Sequence, residues 1–141
     1  MRLKDKVALV TGGASGIGAA SGRLFARAGA SGVVIADVDD DLGMRVVHEI
    51  KDDGGQAIFL HLDVSDEQQW IDAVATTLER YGGLDVTLNN AGVSIPEARV
   101  KVEDTTLDAW NRSHVVNATG VFLGTKHSIA PMRAAGGGSI I

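Results

Sequence analysis

A chain of 141 residues with 45% hydrophobic content is long and apolar enough for one packed core, which excludes a disordered tail. The net charge of −5, with acidic runs at Asp39-Asp40-Asp41 and Asp52-Asp53, leaves no basic patch for nucleic acid or an anionic membrane. The absence of cysteine excludes disulfides, thiolate catalysis and cysteine-ligated metals, and His48, His61, His114 and His127 are scattered without ligand spacing, so no metal site is expected.

Met1-Arg2-Leu3-Lys4-Asp5-Lys6 leads straight into a strand without a signal-peptide pattern, and no apolar run approaches the roughly 20 residues of a membrane helix, so a cytoplasmic protein is expected. Val7-Ala8-Leu9-Val10 then reads as a buried parallel strand that breaks into Thr11-Gly12-Gly13-Ala14-Ser15-Gly16-Ile17-Gly18. Beyond it Ile17, Ala20, Leu24, Phe25 and Ala28 recur at helical spacing and predict the apolar face of a first helix. Glycines at such a junction let the backbone approach a ligand, while the N–H groups of the new helix favour an anion, so a nucleotide phosphate is the expected occupant. Gly13 and Gly18 have P-loop spacing, but Ala19-Ala20 stand where that loop needs Lys-Ser or Lys-Thr. The standard dinucleotide fingerprint also fails, because Ala14 and Ile17 replace its second and third glycines.

Gly29 stops the first helix, and Val33-Val34-Ile35-Ala36 forms a second buried strand ending at Asp37. Asp37 lies 19 residues beyond Gly18, where a carboxylate can accept from both hydroxyls of an adenosine ribose. A helix N-cap is the other reading, though Asp39 or Asp40 is better placed for it. Leu42, Val46 and Ile50 mark the second helix, Gly54-Gly55 close it, and Ala57-Ile58-Phe59-Leu60 makes the third strand. Ser65-Asp66-Glu67-Gln68 reads as a capping box with Ser65 as the cap, opening a helix with Trp70, Ile71, Val74 and Leu78 on one face. Asp63 is then free either to accept from an adenine amino group or to form an Asx turn.

After Gly82-Gly83, Leu84-Asp85-Val86-Thr87-Leu88 predicts a fourth strand running into Asn89-Asn90-Ala91-Gly92. Paired asparagines bring donors and acceptors to the strand end, and the small residues after them leave room for a flat ring. Asn-Asn-Ala-Gly in this place, behind Thr11-Gly12-x-x-x-Gly16-x-Gly18 and an aspartate ending the second strand, resembles the short-chain dehydrogenase/reductase family. A methyltransferase could share the loop and the acid but not this fourth-strand sequence. The stretch from Trp110 to Lys126, with its asparagine at Asn117, is similar to the family's long central helix.

The resemblance implies an α/β, doubly wound Rossmann-type parallel sheet of order 3-2-1-4-5, occupying 1–141 as an NAD-binding domain and cut off at the fifth strand that Gly136-Gly137-Gly138-Ser139-Ile140-Ile141 begins. It implies cofactor contacts from Gly12, Ser15, Gly16, Ile17, Gly18, Asp37, Val38, Asp63, Val64, Asn90, Ala91 and Gly92. Asn117 would kink the central helix and hold a water in the family's proton relay; an asparagine bonded within the core is the plain alternative. The helix carries apolar residues around much of its circumference (Val115, Val116, Val121, Phe122, Leu123, Ile129), so a second covering partner is expected. In the family that partner is commonly another subunit, which points to a homo-oligomer built on the helix from Trp110 to Met132. The family's catalytic serine would follow this last strand and its Tyr-x-x-x-Lys later still. The single tyrosine, Tyr81, has Asp85 four residues on. The expected function is NAD-dependent hydride transfer between nicotinamide and a secondary alcohol or ketone, with a non-catalytic dinucleotide-binding or interaction module as the alternative.

Overall fold

The computed structural model describes residues 2–94 and 101–141; residue 1 and residues 95–100 of the expected domain lie outside the described residues. Five strands, β1 (Val7–Thr11), β2 (Gly32–Asp37), β3 (Ala57–His61), β4 (Val86–Leu88) and β5 (Ser139–Ile140), form one parallel sheet in the order β3-β2-β1-β4-β5. The order reverses between β1 and β4, so a crevice opens at the carboxyl ends of these strands, where open α/β sheets bind ligands. β2 shows why the strands read as unbroken apolar runs. Val34 and Ala36 face a core shared with Trp70, Leu84, Leu123 and Met132, while Val33 and Ile35 face another containing Ala19, Val46, Val47 and Ile50. Side chains alternate with period two, and each face is covered by helices.

Helices α1 (Gly16–Arg27) and α2 (Asp40–Asp52) cover one face, and α3 (Glu67–Tyr81) with the later helices covers the other. The first helix packs differently from the expectation. Ile17, Ala20 and Leu24 are exposed and Phe25 packs against the core as expected, but Gly18, Ala19 and Gly22 form the buried face. The helix runs too close to the sheet for larger side chains, since a Cβ on Gly22 would lie 2.5 Å from Ile35 Cδ1. A second correction concerns α3, which Asp66 caps by accepting from the Gln69 N–H, while the Ser65 hydroxyl is turned back to Asp63. On that helix Trp70 and Val74 are buried as expected, whereas Ile71 is exposed and Ala73 and Thr77 complete the packed face. Trp70 is wholly buried and its indole N–H donates to the Val64 carbonyl at 2.9 Å. Burying a side chain of that size contributes roughly 1.5–3 kcal/mol, and the bond fixes the backbone that leaves β3.

The long helix consists of α4 (Leu107–His114), a π turn (Val115–Thr119) that contains Asn117, and α5 (Gly120–Ala134). Leu123 and Met132 enter the core, but Trp110, Val115, Val121, Phe122 and Ile129 remain exposed on the outer side. β4 is shorter than the predicted 84–88 strand, although Leu84 is fully buried before it starts.

Candidate functional site

The glycine turn, the ends of β2 and β3 and the segment after β4 surround one cleft of roughly 680 Å³. Of the twelve residues the sequence assigns to cofactor contact, Gly12, Ser15, Gly16, Ile17, Asp37, Val38, Asp63, Val64, Asn90, Ala91 and Gly92 all line it. Gly18 does not. It is buried beneath the turn, where an added Cβ would fall inside the van der Waals shell of the Gly12 carbonyl oxygen, so its part is to let the helix start close under the loop. Gly16 is the opposite case: its φ of 51° lies in the left-handed region and the space where a Cβ would stand is open. Ser15 makes no side-chain cap on α1, unlike Asp39 on α2 and Asp66 on α3. The first N–H groups of α1 are therefore not satisfied by a cap and sit beside an open glycine, an arrangement that fits an anionic phosphate.

Asp37 does not cap α2, because Asp39 accepts from the Leu42 N–H at 3.0 Å. Its own carboxylate accepts from the backbone of Ala14 at 2.9 Å through Oδ2, and from Val38 at 2.8 Å and Asp39 at 3.1 Å through Oδ1. A carboxylate offers about four acceptor sites. Three are taken by the chain, which leaves roughly one, on Oδ2, rather than enough for two ribose hydroxyls. The Ala14 bond also ties the end of β2 to the glycine loop.

Asp63 forms the Asx turn: Oδ1 accepts from the Ser65 N–H at 2.9 Å and its hydroxyl at 2.7 Å. Those two bonds, the hydroxyl's first, hold the Asp63 carboxyl below its ordinary range. The same residue lines the cleft, so the turn and a ligand contact are compatible. The described lining contains two carboxylates, Asp37 and Asp63, and no lysine or arginine.

Thr11, which the sequence offered only as part of the loop pattern, is the hub that joins β1 to β4. Its buried hydroxyl accepts from the N–H groups of Asn90 and Ala91, both at 3.0 Å, and donates to the Leu88 carbonyl at 3.2 Å. The Asn90 amide donates to the carbonyls of Thr11 at 2.9 Å and Gly12 at 3.2 Å. Asn90 therefore braces the glycine loop with its side chain and presents its backbone to the cleft. Asn117 is exposed rather than bonded within the core. Its Oδ1 accepts from Val93 N–H at 2.8 Å, and its Nδ2 donates to the Val93 carbonyl at 2.7 Å and to Ser113 Oγ at 3.1 Å. Val93 and Leu62 line the cleft without having been singled out in the sequence, since isolated apolar residues carry no signal of a site, and Val116, expected only as part of the apolar helix surface, lines it too.

Tyr81 lies away from the cleft, packed on β2, where a Cβ on Gly32 would be 2.5 Å from its ring. Burial pushes its phenol above the ordinary value. Asp85 is not the cause, because its carboxylate binds Lys6 Nζ at 2.8 Å and the Val7 N–H at 2.9 Å.

The family model for short chain dehydrogenase matches residues 6–141. Among curated relatives, a 2,5-dichloro-2,5-cyclohexadiene-1,4-diol dehydrogenase of Sphingobium indicum is 44% identical over 140 residues, covering 99% of this chain and 54% of the relative. A cyclopentanol dehydrogenase of Comamonas testosteroni is 45% identical over 140 residues, with 99% and 54% covered. A mitochondrial borneol dehydrogenase of Lavandula x intermedia is 47% identical over 140 residues, with 99% and 51% covered. The chain spans about half the length of the curated relatives it matches. With the parallel sheet, the glycine turn and the Asn-Asn-Ala-Gly segment gathered round one cleft, the match over nearly every residue shows that this chain belongs to the short-chain dehydrogenase family.

Proposed function

We propose that this chain is the NAD-binding portion of an oxidoreductase that moves a hydride between nicotinamide and a secondary alcohol or ketone. Nicotinamide, when bound, supplies the hydride donor or acceptor. The chain's own residues do the holding. The uncapped start of α1 beside Gly16 receives the pyrophosphate, and the remaining acceptor site of Asp37 takes a ribose hydroxyl. Val38, Asp63 and Val64 flank the adenine, and the Asn90-Ala91-Gly92 backbone carries the nicotinamide end. Asn117, by holding Val93 through two backbone bonds, positions that segment. The cyclic alcohols named for the relatives make a cyclic secondary alcohol the first substrate class to try.

The observation that carries NAD over NADP is the fixed Asp37 carboxylate in a described lining without a cation. A 2′-phosphate there would meet like charge, whereas a hydroxyl gains a charge-assisted bond worth about 1.5–3 kcal/mol. Calorimetric titration of both dinucleotides tests this, with NAD binding at least tenfold tighter expected; equal affinity would overturn it. The exposed outer side of α4 and α5 supports self-association through the helix from Trp110 to Met132. Light scattering should then give a mass above that of one chain, and a compact monomer over a wide concentration range would count against it. For these 141 residues taken alone, the packed position of Tyr81 favours a second reading, a module that binds dinucleotide without turning substrate over.

A further inference from the structure

His61 ends β3 as the register partner of Asp37 across the β2–β3 pair. Its Nδ1 lies 2.6 Å from Asp40 Oδ1 at the start of α2, and both side chains are more than half exposed. Phe59, two residues earlier on the strand, packs against Gly43 of α2, so His61 points to the α2 side. Asp37 reaches Ala14 of the glycine loop from that side too. The titratable groups around the imidazole are Asp37 from β2, Asp40 with Asp39 and Asp41 at the start of α2, Asp63 just beyond its own strand, and Asp72 of α3, which shares a shallow concavity with it. All of these are carboxylates. Among them His61 alone can carry a positive charge.

We propose that His61 sets the charge at the adenosine-ribose end of the cleft and makes discrimination between NAD and NADP depend on pH. The inference rests on the dinucleotide reading above. Histidine is the side chain that changes charge between pH 5 and 8. With a neutral imidazole, a 2′-phosphate beside Asp37 meets only carboxylates among the charged side chains of the described lining. With an imidazolium on the neighbouring strand, part of that repulsion is offset. The ribose of NAD carries no charge at that position, so its affinity changes little.

The test is calorimetric titration of NAD and NADP into the 141-residue chain from pH 8 to pH 5.5, on the unmodified protein, His61→Gln and His61→Lys. The 2′-phosphate itself gains a proton near pH 6, so the glutamine variant supplies the baseline. In the unmodified chain the ratio of the NADP and NAD dissociation constants should narrow roughly fivefold more than in His61→Gln, the order of an exposed ion pair. His61→Lys should show the narrowed ratio already at pH 8. Identical pH profiles for the unmodified and glutamine proteins, or a lysine variant with the unmodified ratio at pH 8, would overturn the proposal. Failure of NAD to bind at any pH would instead overturn the dinucleotide reading on which it stands.

Discussion

The side-chain amide of Asn117 pairs with both backbone polar atoms of Val93, accepting its N–H at 2.8 Å and donating to its carbonyl at 2.7 Å. The pair joins the π turn of the long helix to the chain directly after Asn90-Ala91-Gly92. π turns inside α-helices occur frequently at functional sites, and here the irregular turn coincides with the side chain that reaches the cleft wall.

Replacing Asn117 by leucine removes both bonds to Val93 and the one to Ser113 Oγ at an exposed site, which costs about 1–2 kcal/mol in stability. The larger effect should fall on NAD affinity, which should drop several-fold because Gly92 and Val93 lose their anchor. Calorimetry beside urea denaturation separates the two. Unchanged NAD binding in a variant destabilised by this amount would show that the clamp serves the fold alone.

Gly18 and Gly16 make a paired prediction. At Gly18 an alanine methyl would collide with the Gly12 carbonyl, a backbone atom that cannot turn aside, so Gly18→Ala should unfold or displace the loop. At Gly16 the methyl meets open space and the cost is the left-handed φ, about 1–2 kcal/mol. Gly16→Ala should therefore fold with a modest loss of stability and bind NAD at least tenfold more weakly, because the methyl stands where the phosphate would approach. Denaturation curves and titration check both, and full NAD affinity in Gly16→Ala would move the phosphate elsewhere.

Acid should destabilise the chain through identified carboxylates. Burial works against ionised Asp85, but the Lys6 ammonium and the Val7 N–H outweigh it and hold the group below 3.8; Asp63 is lowered by Ser65, and Glu67 by Lys126 and then His127. Each has a depressed folded value, so its stabilisation is present above the ordinary carboxylate range and is lost as pH falls through the folded value. The urea midpoint should hold from pH 7 to about pH 5 and then fall below about pH 4. Asp85→Asn should be less stable at pH 7 and show a shallower acid limb. An acid limb of unaltered slope would remove Asp85 from this account.

Most of the cleft lining was legible because the signals were local. A β-branched run meeting glycine, an acid at the end of β2 with a better cap two residues later, and Asn-Asn-Ala-Gly each declare themselves within a few positions. The failures came where packing distance decided. Ile17 and Leu24 have the right period for a buried face, but the small residues Gly18 and Gly22 let α1 press against Ile35 and turn the larger side chains outward. Ser65 and Asp66 are both able to cap a helix, and what settles the choice is Asp63, which takes the serine hydroxyl into its own turn. The part played by Val93 left no trace in the sequence, because it works through backbone atoms.

The last prediction concerns turnover. Reducing a ketone needs a proton at the oxygen as hydride reaches carbon, and a phenol of pKa about 10 serves this near neutrality only if a cation lowers it. Tyr81 is placed against that role three times over: it packs on Gly32, burial raises its phenol although Arg80 acts the other way, and the residue four positions on, beyond the end of α3, is Asp85, already engaged with Lys6. Asn117 cannot replace it, since an amide does not titrate near neutral pH and this one is committed to Val93. Positioned acid–base catalysis contributes on the order of 10²–10⁴ in rate, so the 141 residues alone should bind NAD while giving no measurable oxidation of secondary alcohols. The check is a sensitive NADH assay over a panel of secondary alcohols with the chain and its Tyr81→Phe variant, both expected at background. Turnover in the unmodified chain that Tyr81→Phe abolishes would place the proton donor on α3 and move the active site away from the cleft.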